Sequence, residues 1–263
     1  TAANYLRGGR GADRLSGGDG DDRLQGDAGA DYLDGGRGND WVYYAASTVG
    51  VAISLANNAL NAGGDAAGDR FTSIESVFGS SHDDDLSGNA GVNHLRGWFG
   101  NDTLRGGEAV DYLQGDAGAD KHFGGEGNDW ALYVAASSAV TVNLADASLN
   151  TGEAEGDLFE SIEYLRGSSF DDDLTGDGNS NYIRGGAGAD RLSGADGVDF
   201  LEGEAGADVL EGGNGADWAH YRFSSVAVDV DLAANLARGG DAEGDTFASI
   251  ENVFGSSLDD VVA

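Results

Sequence analysis

The apolar residues of this chain recur with a fixed step. Between Gly8 and Tyr43 an aliphatic side chain returns every nine residues, at Leu15, Leu24, Leu33 and Val42. Each sits between polar neighbours and follows a glycine-rich stretch, as in Gly8-Gly9-Arg10-Gly11-Ala12-Asp13-Arg14-Leu15-Ser16. Three residues with an apolar one in the middle predict a short strand with one inward side chain. The glycines and the Asp ahead of it predict a turn. Two nonapeptides then make one coil, with a turn on each side, and coils stack as parallel sheets about 4.8 Å apart. The expected fold is all-β: a parallel β-roll or β-solenoid of stacked 18-residue coils, with three wider inserted coils.

A longer period of roughly 88 residues lies above the first. Asp40-Trp41, Asp129-Trp130 and Asp217-Trp218 each lead into a segment with its own grammar. It carries alternating apolar residues (Val51 to Leu55, Val140 to Leu144, Val228 to Leu232), which predict strands, and Gly-Asp clusters, which predict turns. Three repeat units are expected. Unit 1 is 1–78, with nonapeptides over 4–43 and an irregular coil over 44–78. Unit 2 is 79–166, with nonapeptides over 79–132 and an irregular segment over 133–166. Unit 3 is 167–263, with nonapeptides over 167–220, an irregular segment over 221–254, and the start of a further array at 255–263. Solenoids usually close with atypical capping repeats. None is visible here, so a longer array or end-to-end self-association is expected.

Composition narrows the function classes. There are 47 acidic against 14 basic residues, a net charge of -33, 46 glycines and no cysteine. Such a chain offers nucleic acid no basic surface. It forms neither disulfides nor thiolate metal sites, which suits an exported protein. No run approaches the length of a membrane span. The four histidines fall at unrelated repeat positions and are read as neither catalytic nor metal-binding. Paired carboxylates can serve glycoside hydrolysis, but here pairing follows from stacking. No His-Glu-x-x-His helix, nucleophile elbow or phosphate loop occurs, so no enzyme activity is expected. Trp41, Trp130 and Trp218 suggest a sugar-binding ladder less than packing against the long segments near Tyr44, Tyr133 and Tyr221. Carbohydrate is thus a possible partner without support.

The acid at the sixth place of each nonapeptide keeps register with the glycines, as solvated surface charges do not. Stacking brings Asp13 beside Asp31 and Asp22 beside Asp40, where unscreened carboxylates repel. A hard cation between the turns reverses that sign. Calcium accepts six to eight oxygens at irregular angles, whereas magnesium wants a stricter octahedron and zinc prefers nitrogen or sulfur. Roughly a dozen or more Ca²⁺ would offset most of the charge. With one inward aliphatic per nonapeptide, the chain is expected to fold only with calcium.

The pattern Gly-Gly-x-Gly-x-Asp-x-Leu-x, clearest from Gly8 to Gln25, Gly35 to Tyr43, Gly185 to Ser193 and Gly212 to His220, resembles the repeats-in-toxin (RTX, hemolysin-type) calcium-binding family. The resemblance implies a parallel β-roll, type I secretion, and ligands from the sixth-place side chain and the turn carbonyls. Carried over, the side chains are Asp13, Asp22, Asp31, Asp40, Asp84, Asp102, Asp111, Asp120, Asp129, Asp172, Asp190, Asp199, Asp208, Asp217 and Asp260. Asn93 and Asn181 replace Asp and should bind more weakly. Glu75, Glu163 and Glu251 align with the same place in the irregular segments. The turn glycines are Gly9, Gly11, Gly18, Gly20, Gly29, Gly36, Gly38, Gly100, Gly107, Gly118, Gly125, Gly127, Gly186, Gly188, Gly197, Gly206, Gly213 and Gly215. His82, Ala109, Phe170, Asn179 and Leu258 at the fourth place, and Trp98 at the second, depart from the pattern. Asp65, Asp69, Asp157, Asp241 and Asp245 are read as turn formers slightly more than as further ligands. The expected role is a calcium-dependent structural segment of a large secreted protein: an adhesin, surface-layer or filament element, at the bacterial cell surface. The alternative is the C-terminal export and folding module of a secreted protease, lipase or polysaccharide epimerase.

Overall fold

The computed structural model describes residues 2–263. Among them there is no α-helix; short strands alternate with glycine turns, and three-residue 3-10 turns lie in the irregular segments. Strands pair in parallel with the nonapeptide two steps on. Tyr5 faces Arg23, Leu6 faces Leu24 and Arg7 faces Gln25; Arg14–Asp19 pairs with Tyr32–Arg37 in the same way. Successive nonapeptides therefore serve alternate faces of a β-roll. The central residue of each strand points inward, and Leu24, Leu33, Val42, Leu86, Leu95 and Leu104 are fully or almost fully buried.

Contacts gather the chain into two compact units, Thr1–Trp130 with Asp157–Ile162, and Ala131–Gly156 with Glu163–Ala263. In the first, one face runs Tyr5–Arg7, Arg23–Gln25, Trp41–Tyr43, Ser76–Phe78, His94–Phe99, Tyr112–Ala117. The other face is two sheets: Arg14–Asp19, Tyr32–Arg37, Arg70–Thr72, and then Ala52–Ser54, Asp85–Ser87, Thr103–Gly107, Lys121–Gly125, Leu158–Glu160. In the second unit, Tyr164–Arg166, Tyr182–Ala187, Phe200–Ala205, Trp218–His220 and Asn252–Phe254 form one face. Opposite them lie Thr141–Asn143, Asp173–Thr175, Arg191–Gly197, Val209–Gly215 and Thr246–Ala248.

The irregular segments are wider coils. Trp41 pairs with Ser76 and Val42 with Val77, so the sheet continues across the 44–78 segment. On the other face Arg70–Thr72 closes one sheet against Tyr32–Arg37, while Ala52–Ser54 opens the next against Asp85–Ser87. Side chains hold the detour. The Tyr44 hydroxyl donates to Asp69 Oδ2 (2.7 Å), and Asn61 Nδ2 donates to the Asp69 carbonyl (3.0 Å). Tyr221 and Asp245 repeat the first of these at 2.7 Å.

Among the described residues no ring contact joins Trp41 to Tyr44 or Trp218 to Tyr221. Strand alternation turns Trp41 outward beside inward Val42, and its ring lies 6.0 Å from Tyr43 and 6.1 Å from His94. Trp130 stacks on Tyr112 and Trp218 on Phe200 in the same outward manner.

Candidate metal centre

The sixth-place acids form a hydrogen-bonded ladder. The backbone N–H of Asp13 donates to Asp31 Oδ1 (2.8 Å), Asp22 to Asp40 (2.8 Å), Asp102 to Asp120 (2.7 Å) and Asp111 to Asp129 (2.7 Å). Asp84 donates likewise to Asp102, Asn93 to Asp111, Asp172 to Asp190, Asn181 to Asp199, Asp190 to Asp208 and Asp199 to Asp217. Across the wide coils the acceptors are Asp69 for Asp31, Glu75 for Asp40, Asp157 for Asp120, Asp245 for Asp208 and Glu251 for Asp217. Asp69, Asp157 and Asp245 thus occupy the sixth-place role. In the sequence they read as turn formers only slightly more than as ligands, and the spacing to their partners, 37 or 38 residues rather than 18, hides the match. Glu163 leads into Tyr164–Arg166, and its carbonyl accepts from Asn181 Nδ2 (3.2 Å).

The ladder uses one carboxylate oxygen. The other, Oδ2, is buried without a hydrogen-bond donor among the described residues at Asp13, Asp22, Asp31, Asp40, Asp102, Asp111, Asp120, Asp190, Asp199, Asp208 and Asp217. It faces the first glycine of its own turn. A Cβ on Gly8 would stand 2.8 Å from Asp13 Oδ2 and 2.9 Å from the Gly26 carbonyl oxygen. Carboxylate and carbonyl oxygens from adjacent coils therefore converge where only glycine leaves room. The turn glycines named above have positive φ except Gly29 and Gly206. At five turns where a side chain replaces glycine at the second place the backbone keeps the glycine conformation: Asp27, Trp98, Asp116, Ala195 and Glu204 have positive φ, as Ala109 does at the fourth place, whereas Ser80, Asn89, Ser168, Asp177 and Ser256 do not.

Other turns close themselves. Ser80 N–H donates to Asp84 Oδ2 (2.5 Å) and its hydroxyl to Oδ1 (2.8 Å). Ser168 does the same for Asp172, and the Ser256 hydroxyl donates to Asp260. At Asn93 the amide oxygen accepts from Asn89 N–H (2.7 Å) while Nδ2 donates to the Glu75 carbonyl (3.1 Å). Asn181 is arranged alike. Asp69 and Asp245 are closed by their tyrosines.

Burial and neighbouring carboxylates push six of the open acids well up. Asp102, Asp111, Asp120 and Asp190 rise to about 7, Asp208 to about 8 and Asp199 to about 6. Desolvation is the larger cause in each, and a facing acid adds to it, such as Asp129 for Asp111. A buried anion with no donor on one oxygen calls for a cation. The donor set is carboxylate and backbone carbonyl, the hard oxygen set that calcium takes. The residues present fit that ion.

Parallel glycine turns with these oxygens define a calcium-binding β-roll. The sequence profile of the RTX calcium-binding nonapeptide repeat matches residues 3–43, 78–113, 99–131, 166–201 and 193–220. The match covers more than half of the chain, which belongs to that family, and RTX repeats bind calcium. The comparison with curated proteins found no match.

Proposed function

We propose that calcium is held at the open turns, in three blocks: Asp13 to Asp40, Asp102 to Asp129 and Asp190 to Asp217. Each ion would draw on sixth-place carboxylates and on carbonyls of the adjacent glycine turns. Bound calcium supplies positive charge that neutralises facing acids and cross-links successive coils. The observation behind this reading is the recurrence, among the described residues, of a buried Oδ2 without a donor from Asp13 to Asp40, from Asp102 to Asp120 and from Asp190 to Asp217. Asp84, Asp172 and Asp260 with their serines, and Asn93 and Asn181 with their amides, would separate the blocks without metal.

The reading extends to a calcium-dependent structural segment of a secreted protein, working as an extender in an adhesin, surface layer or filament, with no catalysis of its own. Support comes from repeats that belong to a calcium-binding family, from a charge of -33 that millimolar extracellular calcium would neutralise, and from the absence of cysteine. Among the described residues no helix is long and apolar enough to cross a membrane. Equilibrium dialysis against radioactive calcium tests the block assignment. Asp22→Asn and Asp199→Asn should each lower the bound calcium, while Asp84→Asn should leave it unchanged. Equal losses in all three would overturn the assignment.

A further inference from the structure

One buried group lies outside the oxygen chemistry of the turns. His122 occupies an inward strand position, stacked in register between Leu104 and Phe159. It is 1 % exposed, and neither ring nitrogen has a hydrogen-bond partner among the described residues. The same place in the two comparable coils is filled by Leu33 against Phe71 and by Leu210 against Phe247. Hydrophobic packing therefore does not require a histidine, and burying an imidazole with two unmet nitrogens is costly.

The imidazole faces two carboxylates. Asp120, His122 and Asp157 are all buried, and one ligand atom from each lies within 4.8 Å of the others. His122 Nε2 is 3.7 Å from Asp157 Oδ2. That is too long for a hydrogen bond, but near the spacing of about 3.3 Å between two ligands on one tetrahedral ion with bonds of about 2.0 Å. Asp120 supplies the third atom, a carboxylate oxygen, and its Oδ2 has no donor among the described residues. The equivalent coils offer the same carboxylate pair, Asp31 with Asp69 and Asp208 with Asp245, but no nitrogen.

We propose that Asp120, His122 and Asp157 form a site for one borderline divalent transition-metal ion, of the class of Zn²⁺, in place of calcium at that single turn. Imidazole nitrogen favours such ions, whereas calcium gains little from it. The calcium reading is needed only for the other turns. An ion held there ties the strand Lys121–Gly125 to the returning wide coil at Asp157.

The test uses the full chain folded in excess calcium, with Co²⁺ as a visible probe. One equivalent should bind with the strong visible band of a low-coordinate cobalt site, and one equivalent of Zn²⁺ should bleach it. His122→Leu, which installs the residue of the sister coils, should lose the band and keep the calcium-induced circular dichroism. In the unaltered chain, nitrogen-detected NMR of the four histidines should show the ring nitrogens of His122 shifting on Zn²⁺ addition. Absence of the band, equal cobalt binding by His122→Leu, or shifts confined to the other histidines would overturn the proposal. Failure of the calcium-induced signal in both proteins would instead refute the calcium reading.

Discussion

At Asp172 the hydroxyl of Ser168 donates to both carboxylate oxygens at 2.9 Å, whereas the glycine at the matching place, Gly186, gives Asp190 nothing. A hydroxyl thus separates a turn that closes itself from one that needs a cation. Ser168→Ala should strip that donor and cost about 1–3 kcal/mol, read as lower thermal stability of the calcium-saturated chain; no change would refute the capping role. Asp111→Asn copies Asn93, so the amide should accept the turn N–H and the chain should stay folded with less bound calcium, as dialysis would measure. The raised acids fix the pH dependence. Their folded values exceed those of free carboxyls, so the calcium-free fold binds more protons than the unfolded chain. Their contribution to its stability is full below about pH 4 and lost as pH rises through about 6 to 8. Calcium competes with those protons, so its affinity should fall as pH drops from 8 to 6. Calorimetric titrations showing flat affinity over that range would contradict it. The nine-residue register made the acids legible in the sequence. Which oxygen lacks a donor was not, because Ser80, Ser168 and Ser256 stand where glycine normally does and look like mere departures.

Among the elements, the nonapeptide strands could be read from Leu15, Leu24 and Leu33 because one residue in nine has only one way to face inward. The wide coils were less legible. Their alternating strands were visible, but not that Ala52–Ser54 starts a new sheet while Arg70–Thr72 ends the old one. Gly-Asp clusters signal turns, and nothing local reveals that Asp69 meets Asp31 across 38 residues. Tyr44 is what secures that meeting. Tyr44→Phe should leave a buried Asp69 oxygen without its donor and cost about 1–3 kcal/mol. The damage should stay local, since solenoid coils depend on their neighbours. Hydrogen exchange should quicken over 44–78 and remain slow over 182–220; uniform acceleration would argue against it. The outward aromatics show the same limit: strand alternation sends Trp41 to Tyr43 and His94, which lie on the sheet face rather than in the following segment.

For the whole molecule, 47 acidic residues against 14 basic ones and a thin core of single aliphatics are the grounds for expecting folding to depend on added positive charge. At the open turns, such as Asp22, Asp102 and Asp208, the second carboxylate oxygen has no donor among the described residues, so the calcium-free coil stack carries buried, mutually repelling groups. The expectation from composition and the geometry of the turns converge on metal-coupled folding. Far-UV circular dichroism during a calcium titration, followed by excess chelator, measures this directly. The account predicts a disordered spectrum without calcium, a cooperative rise to a β spectrum on addition, and full loss on chelation. A β spectrum that forms without calcium at neutral pH and survives the chelator would contradict it.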